Sequence, residues 1–450
     1  MSKEQKSVWR GSANRVTAEE MKDSRDWLAT MLAALGAGRM VPGVRPEVVC
    51  LRQGYGRFQA GKSTVGGPLC LAGKVYDSGF GTHGESDVRV RLPAGGRRLT
   101  GWCGIDDSER TRTRTADQFF SVEVEGKEVW NSGPRQVASP PARFSIALGG
   151  RREFLLKVRG PEAYADADWV NLKATLTDGR PAEISEATDP VGDVFGFRYG
   201  GKDSATLLEG WRLKMERLPE RDGVVVRRIT RTYPRTGLAV LCEVKEYTRF
   251  PVIEWVVRLR NTSGKKSPMI EDLRSLDLLA RRGDRPYLNY WNGDYCTPDS
   301  FEPFRLPLAH DEEYRFAAAG GRGTNHAWPY YNLEWPDSSC GMIAALGWPG
   351  QWASRLSGAK SGAVRLSGGQ ELTHFRLLPG EEVRTPLSVV MLYRGDRERS
   401  QNLWRRWMVA HNMPRTANGK LPPPQIVACS SHQFKEMTQA NEENQKQFVS

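Results

Sequence analysis

The chain has 450 residues, of which 39% are hydrophobic and 26% charged, and a formal net charge of +12. These values describe a globular chain of about three domains and contain no run near the roughly 18 apolar residues of a membrane span. The basic excess is diffuse: its densest patch, Arg110 to Arg114, lies among Asp106, Asp107, Glu109 and Asp117 with no zinc-ligand spacing or helix-turn-helix beside it, which argues against nucleic acid as a partner.

The N-terminus lacks the apolar core of a signal peptide, so the chain as written is expected in the cytoplasm, or outside it if a leader has been removed. Residues 1–43 are read as an N-terminal helical segment. Thr17 followed by Glu20 is a capping box, and Met21, Trp27, Leu28, Met31 and Leu32 fall largely on one face of a helix from Thr17 to Leu35, ended by Gly36 and Gly38. A helix of this length is marginal alone and is expected to pack on a neighbouring domain.

From residue 44 to 178 the pattern changes to short alternating runs, VRVRL, FFSVEVEG, ARFSIAL and EFLLKVRG, broken by GG, EG, NSGP and SPP. This predicts an antiparallel sandwich. The segments YDSGFGTHGESDVRVRLP, GWCGIDDSE, FFSVEVEGKEVWNSG and LLKVRGPEAYADADWVNLKATL closely resemble the NPCBM-type carbohydrate-binding module, a jelly-roll-like β-sandwich found beside glycoside hydrolases. The resemblance rests on Gly79 to His83, Gly104 to Asp107, Phe120 to Gly126, and Asp168 with Trp169. A departure is Ala165, Asp166 and Ala167 where the pattern carries a histidine and a further carboxylate, which leaves the sugar open.

His83, Asp168 and Trp169 are the carbohydrate-binding candidates of this module, the imidazole as donor and acceptor and the indole as stacking face. The competing reading makes His83 and Trp169 buried residues that hold the sheets together. Asp106 and Asp107 could hold a structural calcium ion, but two adjacent carboxylates fall far short of a full ligand set, and a capped turn is preferred. No other cofactor and no metal site is expected: the seven cysteines are scattered, form no CxxC pair, and read as reduced thiols.

Residues 179–190, polar and Pro-bearing, are expected to form a linker. A second antiparallel β-domain over 191–424 follows, with strands VVVRRITRTY, LAVLCEVKEY, IEWVVRLRN, GMIAALGW and PLSVVMLY; it is too long for an immunoglobulin-like unit. Tyr287 to Trp352 gathers five of the fourteen tryptophans among glycines, prolines and carboxylates. Aromatic rings on stiff loops beside amides and carboxylates suit a sugar, and any single Trp could equally be core. Trp291 and Asp294 are the candidates here, a flat face with a hydroxyl-binding carboxylate.

The order LLEGW, YTRFPVIEWVVRLRNTSGKKSPMIEDL, DSFEPF, GGRGTN, GWPGQW, LLPGEEVRTPLSVVMLYRGD and NLWRRWMVAHNMPR looks like the N-terminal supersandwich of family 36-type α-galactosidases, with Gly-Thr-Asn a mild departure at the end of GGRGTN. In that family the supersandwich precedes a catalytic (β/α)8 barrel. QIVACSS suits a first barrel strand, so residues 425–450 are read as the first strand and helix of a truncated barrel. The fold expected is therefore mainly β, with an N-terminal helix, a sandwich module, a large antiparallel supersandwich and the start of a barrel.

The resemblance implies a retaining mechanism with two barrel aspartates, both expected beyond residue 450. No catalytic residue is assigned to this chain, and by itself it is expected to be inactive. The function expected is the carbohydrate-binding and supersandwich portion of an α-galactosidase-like glycoside hydrolase acting on terminal α-linked galactose or N-acetylgalactosamine. The alternative is a free-standing, non-catalytic carbohydrate-binding protein. The partners expected are galactose-type glycans, without nucleic acid or membrane, with the supersandwich as a surface for oligomerisation.

Overall fold

The computed structural model describes residues 14–36, 45–55, 58–109, 111–112, 117–160, 166–185, 191–283, 285–294, 297–309, 312–358, 363–423, 441–443 and 446. Thr17 caps a helix Ala18–Ala34. Its hydroxyl accepts from the Glu20 N–H at 3.2 Å, while the Glu20 carboxylate accepts from the Thr17 N–H at 2.9 Å, so two orphan donors of the first turn are satisfied reciprocally. Trp27, Leu28, Met31 and Leu32 are buried in the core of the second sandwich, not in the module that follows in sequence. The Trp27 ring lies 6.2 Å from that of Trp255. Glu20, fully buried, ion-pairs with Arg399 and accepts from the Arg394 N–H at 2.9 Å. Asp23 pairs with Arg282 and, at 2.9 Å, with Arg394. The expected packing helix is thus an integral layer of the supersandwich, and the module is inserted between it and the strands it covers.

The module is two antiparallel sheets. One runs Glu47–Arg52, Ser86–Arg91, Glu153–Arg159, Gln118–Val124, Lys127–Arg135; the other runs Ala142–Ala147, Gly96–Ile105, Asp166–Leu176, Gly79–His83, Gln59–Ala60. Alternation does what it predicts: Val88 and Val90 point inward from Ser86–Arg91, and Phe144 and Ile146 from Ala142–Ala147. Pro181–Glu183 adds a strand against Asp166–Leu176, and Ile184 is buried in the module core. The segment expected as a linker over 179–190 therefore belongs to the module as far as it is described. Asp178 and Gly179 turn the chain back on itself, with Leu176 N–H donating to Arg180 O at 2.9 Å.

At the return to the second sandwich, Arg91 sits 2.8 Å from both Glu153 and Asp193 and donates to Gly192 O at 2.7 Å, while Val191 N–H donates to Glu47 at 2.9 Å. The supersandwich is a ten-stranded and a seven-stranded antiparallel sheet enclosing a separate core. In the larger one Leu238–Tyr247 buries every second side chain over most of its length, as its sequence predicts.

A helix Arg397–His411 follows. From Asn402 on, the described residues belong to a unit of their own, in which Trp404 and Trp407 have rings 4.9 Å apart and Arg415 donates to Val409 O at 2.6 Å. Apart from 441–443 and 446, the barrel strand and helix expected at 425–450 lie outside the described residues. No helix among the described residues is long and apolar enough to cross a membrane.

Trp27 tests the helix as part of the core. Trp27→Ala is expected to lower the unfolding free energy of the supersandwich by about 3–5 kcal/mol, the range for emptying a buried indole site. Urea denaturation followed by tryptophan fluorescence reads this, and a loss well under about 1 kcal/mol would mean the helix is only a surface attachment.

Candidate functional site

The motif residues of the module meet at one end of its second sheet. Gly79–His83 pairs with Asp166–Leu176 so that His83 is opposite Asp166 and Gly81 opposite Asp168. The glycines are required by close approach: a Cβ on Gly79 would stand 2.1 Å from Trp169 O, and one on Gly81 2.4 Å from Lys62 O. Thr82 completes the crossing, its hydroxyl donating to Ala167 O at 3.0 Å while its own carbonyl accepts from Thr64 Oγ1 at 2.7 Å.

His83 is buried, with Nδ1 3.3 Å from Gly84 O and Nε2 4.0 Å from an Asp166 carboxylate oxygen. Tyr55, 59% exposed, tilts over it with ring centroids 5.5 Å apart. Beside them Glu85 holds a left-handed φ of 62° and is 3.2 Å from Arg52. His83 therefore lies beneath an aromatic platform instead of forming its surface. Tyr55 was not among the sequence candidates. It precedes the motif in a Gly-rich loop with no spacing of its own, and only its position over His83 distinguishes it.

Trp169 has no exposed surface and packs edge-on against Phe120 and Phe144, centroids 5.3 and 5.7 Å away. That placement corrects the stacking role expected of it, since no sugar reaches an indole whose faces are inside the core. Asp168 is likewise fully buried, with one carboxylate oxygen accepting from Cys70 N–H at 3.2 Å. Burial first, and Asp106 second, push its carboxyl well above the ordinary carboxylate range. Burial raises Asp106 as well, although its hydrogen bond from Asp168 works against this. Burial and the neighbouring carboxylate thus both favour the protonated form of Asp168.

The neighbouring Asp107 pairs with Arg112 at 2.7 Å, and the Thr111 hydroxyl donates to Asp106 O, so the turn is closed by its own residues. Among the described residues no group of three or more His, Cys, Asp or Glu is placed to hold a metal ion.

In the supersandwich, Tyr287–Trp291 lies between Pro303–Pro307 and Tyr330–Trp335. The five clustered tryptophans separate by burial. Trp335 and Trp352 are core, Trp348 packs partly buried against it, Trp291 is partly exposed and sits 5.0 Å from Tyr330, and Trp328 is 36% exposed. Phe301, with a left-handed φ of 62°, meets Trp328 edge-on at 5.1 Å, so these two form an exposed aromatic corner that sequence reasoning did not single out. Asp294 is exposed, accepts from Ser300 Oγ at 3.2 Å, and is tied by its N–H to Thr324 O at 2.7 Å. Trp291 lines a cleft of about 790 Å³, and Asp294 is not among its lining residues.

Residues 47–175 match the family model described as the NPCBM/NEW2 domain. Over 276 residues the chain is 29% identical to Alpha-1,3-galactosidase B of Akkermansia muciniphila, covering 56% of this chain and 33% of that protein. The chain thus spans about 33% of the length of this curated relative. Among solved structures it is similar to the GH36 alpha-galactosidase AgaA from Geobacillus stearothermophilus, at 15% identity and a TM-score of 0.34 over 45% of this chain and 30% of that one. It is also similar to CBM51 from Clostridium perfringens GH95 in complex with methyl-galactose, at 22% identity and a TM-score of 0.26 over 28% of this chain and 99% of that one.

The Asp106 and Asp168 pair gives a pH dependence with a definite sign. The folded chain keeps a proton on Asp168 where the unfolded chain has released it. That contribution to stability is therefore complete below the ordinary carboxylate range and is lost as pH rises through the raised value. Asp168→Asn keeps a donor to Asp106 and an acceptor for Cys70 N–H while removing the titration. The native protein should lose Tm relative to the variant as pH rises above the ordinary carboxylate range, and parallel melting profiles would show that Asp168 is not held protonated.

Proposed function

We propose that this chain is the carbohydrate-binding and supersandwich portion of an α-galactosidase-like glycoside hydrolase acting on terminal α-linked galactose or N-acetylgalactosamine. The observation that carries the reading is the coincidence of the NPCBM/NEW2 match with an end of the module where buried motif residues support an exposed ring, Tyr55 over His83. A platform of this kind offers an apolar face to the flat side of a hexose, and the arginine and carboxylate side chains beside it offer hydrogen bonds to its hydroxyls. His83 and Asp166 act from below by fixing the loop that carries the contact, so their role is positioning.

A second sugar contact is assigned to the supersandwich, through Trp291 with Asp294 on the loop that follows it. Hydrolysis, with retention of configuration, is assigned to two aspartates of a (β/α)8 barrel acting as nucleophile and acid/base, and to no residue of this chain. A module that contributes one ring and a few hydrogen bonds binds weakly, because ordering costs consume most of the gross interaction.

Calorimetric titration with galactose and N-acetylgalactosamine tests the module. Tyr55→Ala is expected to weaken binding by roughly two- to tenfold, the equivalent of one aromatic contact, with Tm unchanged. Trp169→Ala should instead lower stability by about 3–5 kcal/mol. Binding unaffected by Tyr55→Ala would move the sugar site away from this end of the module.

A further inference from the structure

The cleft lined by Trp291 is built on four neighbouring strands of the seven-stranded sheet, Glu313–Ala317, Trp352–Gly358, Val364–Gln370 and Ile270–Ala280. Its register sets two rows across the sheet. One places Arg315 directly opposite Arg355, and Arg355 opposite Ser367; the next places Ala317 opposite Ala353, Ala353 opposite Gly369, and Gly369 opposite Arg274. Ala317 and Ala353 carry only a methyl group where larger side chains would fill the cleft, and Gly369 admits none, since a Cβ there would stand 2.7 Å from Leu273 O; the arginines stand around this row.

Two like charges directly opposite each other on adjacent strands repel. Arg274 is neutralised, 3.1 Å from Asp277 and 3.6 Å from Asp272. The acid Glu371 in the lining accepts from Gln351 at 2.8 Å. Arg315 has only a long 3.8 Å approach to Glu313 on its own strand, and Arg355, exposed, has no carboxylate partner among the described residues. A guanidinium pair left open in a cleft with an indole in its wall has donors for a planar or tetrahedral anion and a flat surface for the ring that carries it. A volume of about 790 Å³ holds more than one sugar unit.

We infer that this cleft is a separate binding site for an acidic saccharide, one whose carboxylate or sulfate ester sits between Arg315 and Arg355 with its ring against Trp291. The inference rests on the reading of the chain as a carbohydrate binder and deepens its supersandwich contact by naming the substrate class. It does not depend on the module's sugar. A neutral galactoside would leave the arginine pair uncompensated, so the site prefers charged sugars to neutral ones.

The test titrates the whole chain with galacturonate, galactose 6-sulfate, galactose and inorganic sulfate. One or both acidic sugars should bind at least about tenfold more tightly than galactose, and Arg355→Gln or Arg315→Gln should each weaken that binding by roughly tenfold or more, as for a lost hydrogen bond to a charged group. Trp291→Ala should weaken the acidic sugars and leave inorganic sulfate unaffected. Tyr55→Ala separates the two sites: it should weaken galactose alone, so absence of galactose binding with acidic sugars still bound would fail the module reading and leave this one standing. Equal affinity for galactose and the acidic sugars in the Tyr55→Ala variant, where the module's galactose contact is weakened, would overturn the inference. So would inorganic sulfate binding as tightly as the sulfated sugar, or acidic-sugar binding that survives both arginine variants.

Discussion

The arrangement of this chain depends on where the apolar face of its first helix is buried. Trp27, Leu28, Met31 and Leu32 lie in the supersandwich core although some 140 residues of module separate them from its first long strand, Gly192–Tyr199. Once that face is fixed, the chain has to leave the supersandwich, build the module, and return. The module's entry and exit are therefore held near each other. At that return Arg91 gathers Glu47, Glu153 and Asp193 around a largely buried guanidinium. Such a cluster is a poor source of stability but a strict one of geometry, because one guanidinium ties three carboxylates from separate segments to a single point.

The same logic separates residues that hold a site from residues that touch a ligand. The motif Gly79 to His83 is spent on a backbone crossing too tight for side chains at Gly79 and Gly81, and Trp169 and Asp168 close the crossing from the neighbouring strand. Their burial makes them indispensable to the fold and unavailable to a sugar. The rings that reach the surface, at least in part, are instead Tyr55 in the module and Trp291, Trp328 and Phe301 in the supersandwich. Rigid strands end in short loops there, so an exposed ring can be held without losing much freedom on binding.

The carboxylates follow the dielectric around them. Asp294, in solvent, is kept by an ordinary hydrogen bond to Ser300. Asp168 and Asp106, buried in the module, are both pushed toward the protonated form, Asp168 well above the ordinary carboxylate range. One residue type thus serves as a hydroxyl acceptor at the surface and as a structural acid in the interior, decided first by burial.

By itself the sequence determined the local structure, which segments become strands and where the first helix begins. The Thr17 and Glu20 cap, the alternation in Ser86–Arg91 and Leu238–Tyr247, and the four module motifs are local signals, and each produces the element it predicts. Boundaries set by pairing were less legible: Pro181–Glu183 reads as a polar linker, and only its ladder with Asp166–Leu176 makes it a strand. Tertiary structure alone decided which core receives the first helix, because amphipathicity specifies a buried face but not its partner. It also decided which aromatics are exposed. Trp169 and Trp291 both sit beside polar residues in sequence, yet two phenylalanines from other strands enclose the first and a cleft opens beside the second. Arg315 and Arg355 are 40 residues apart in the chain and become neighbours only through strand register, a long-range pairing to which no local pattern points.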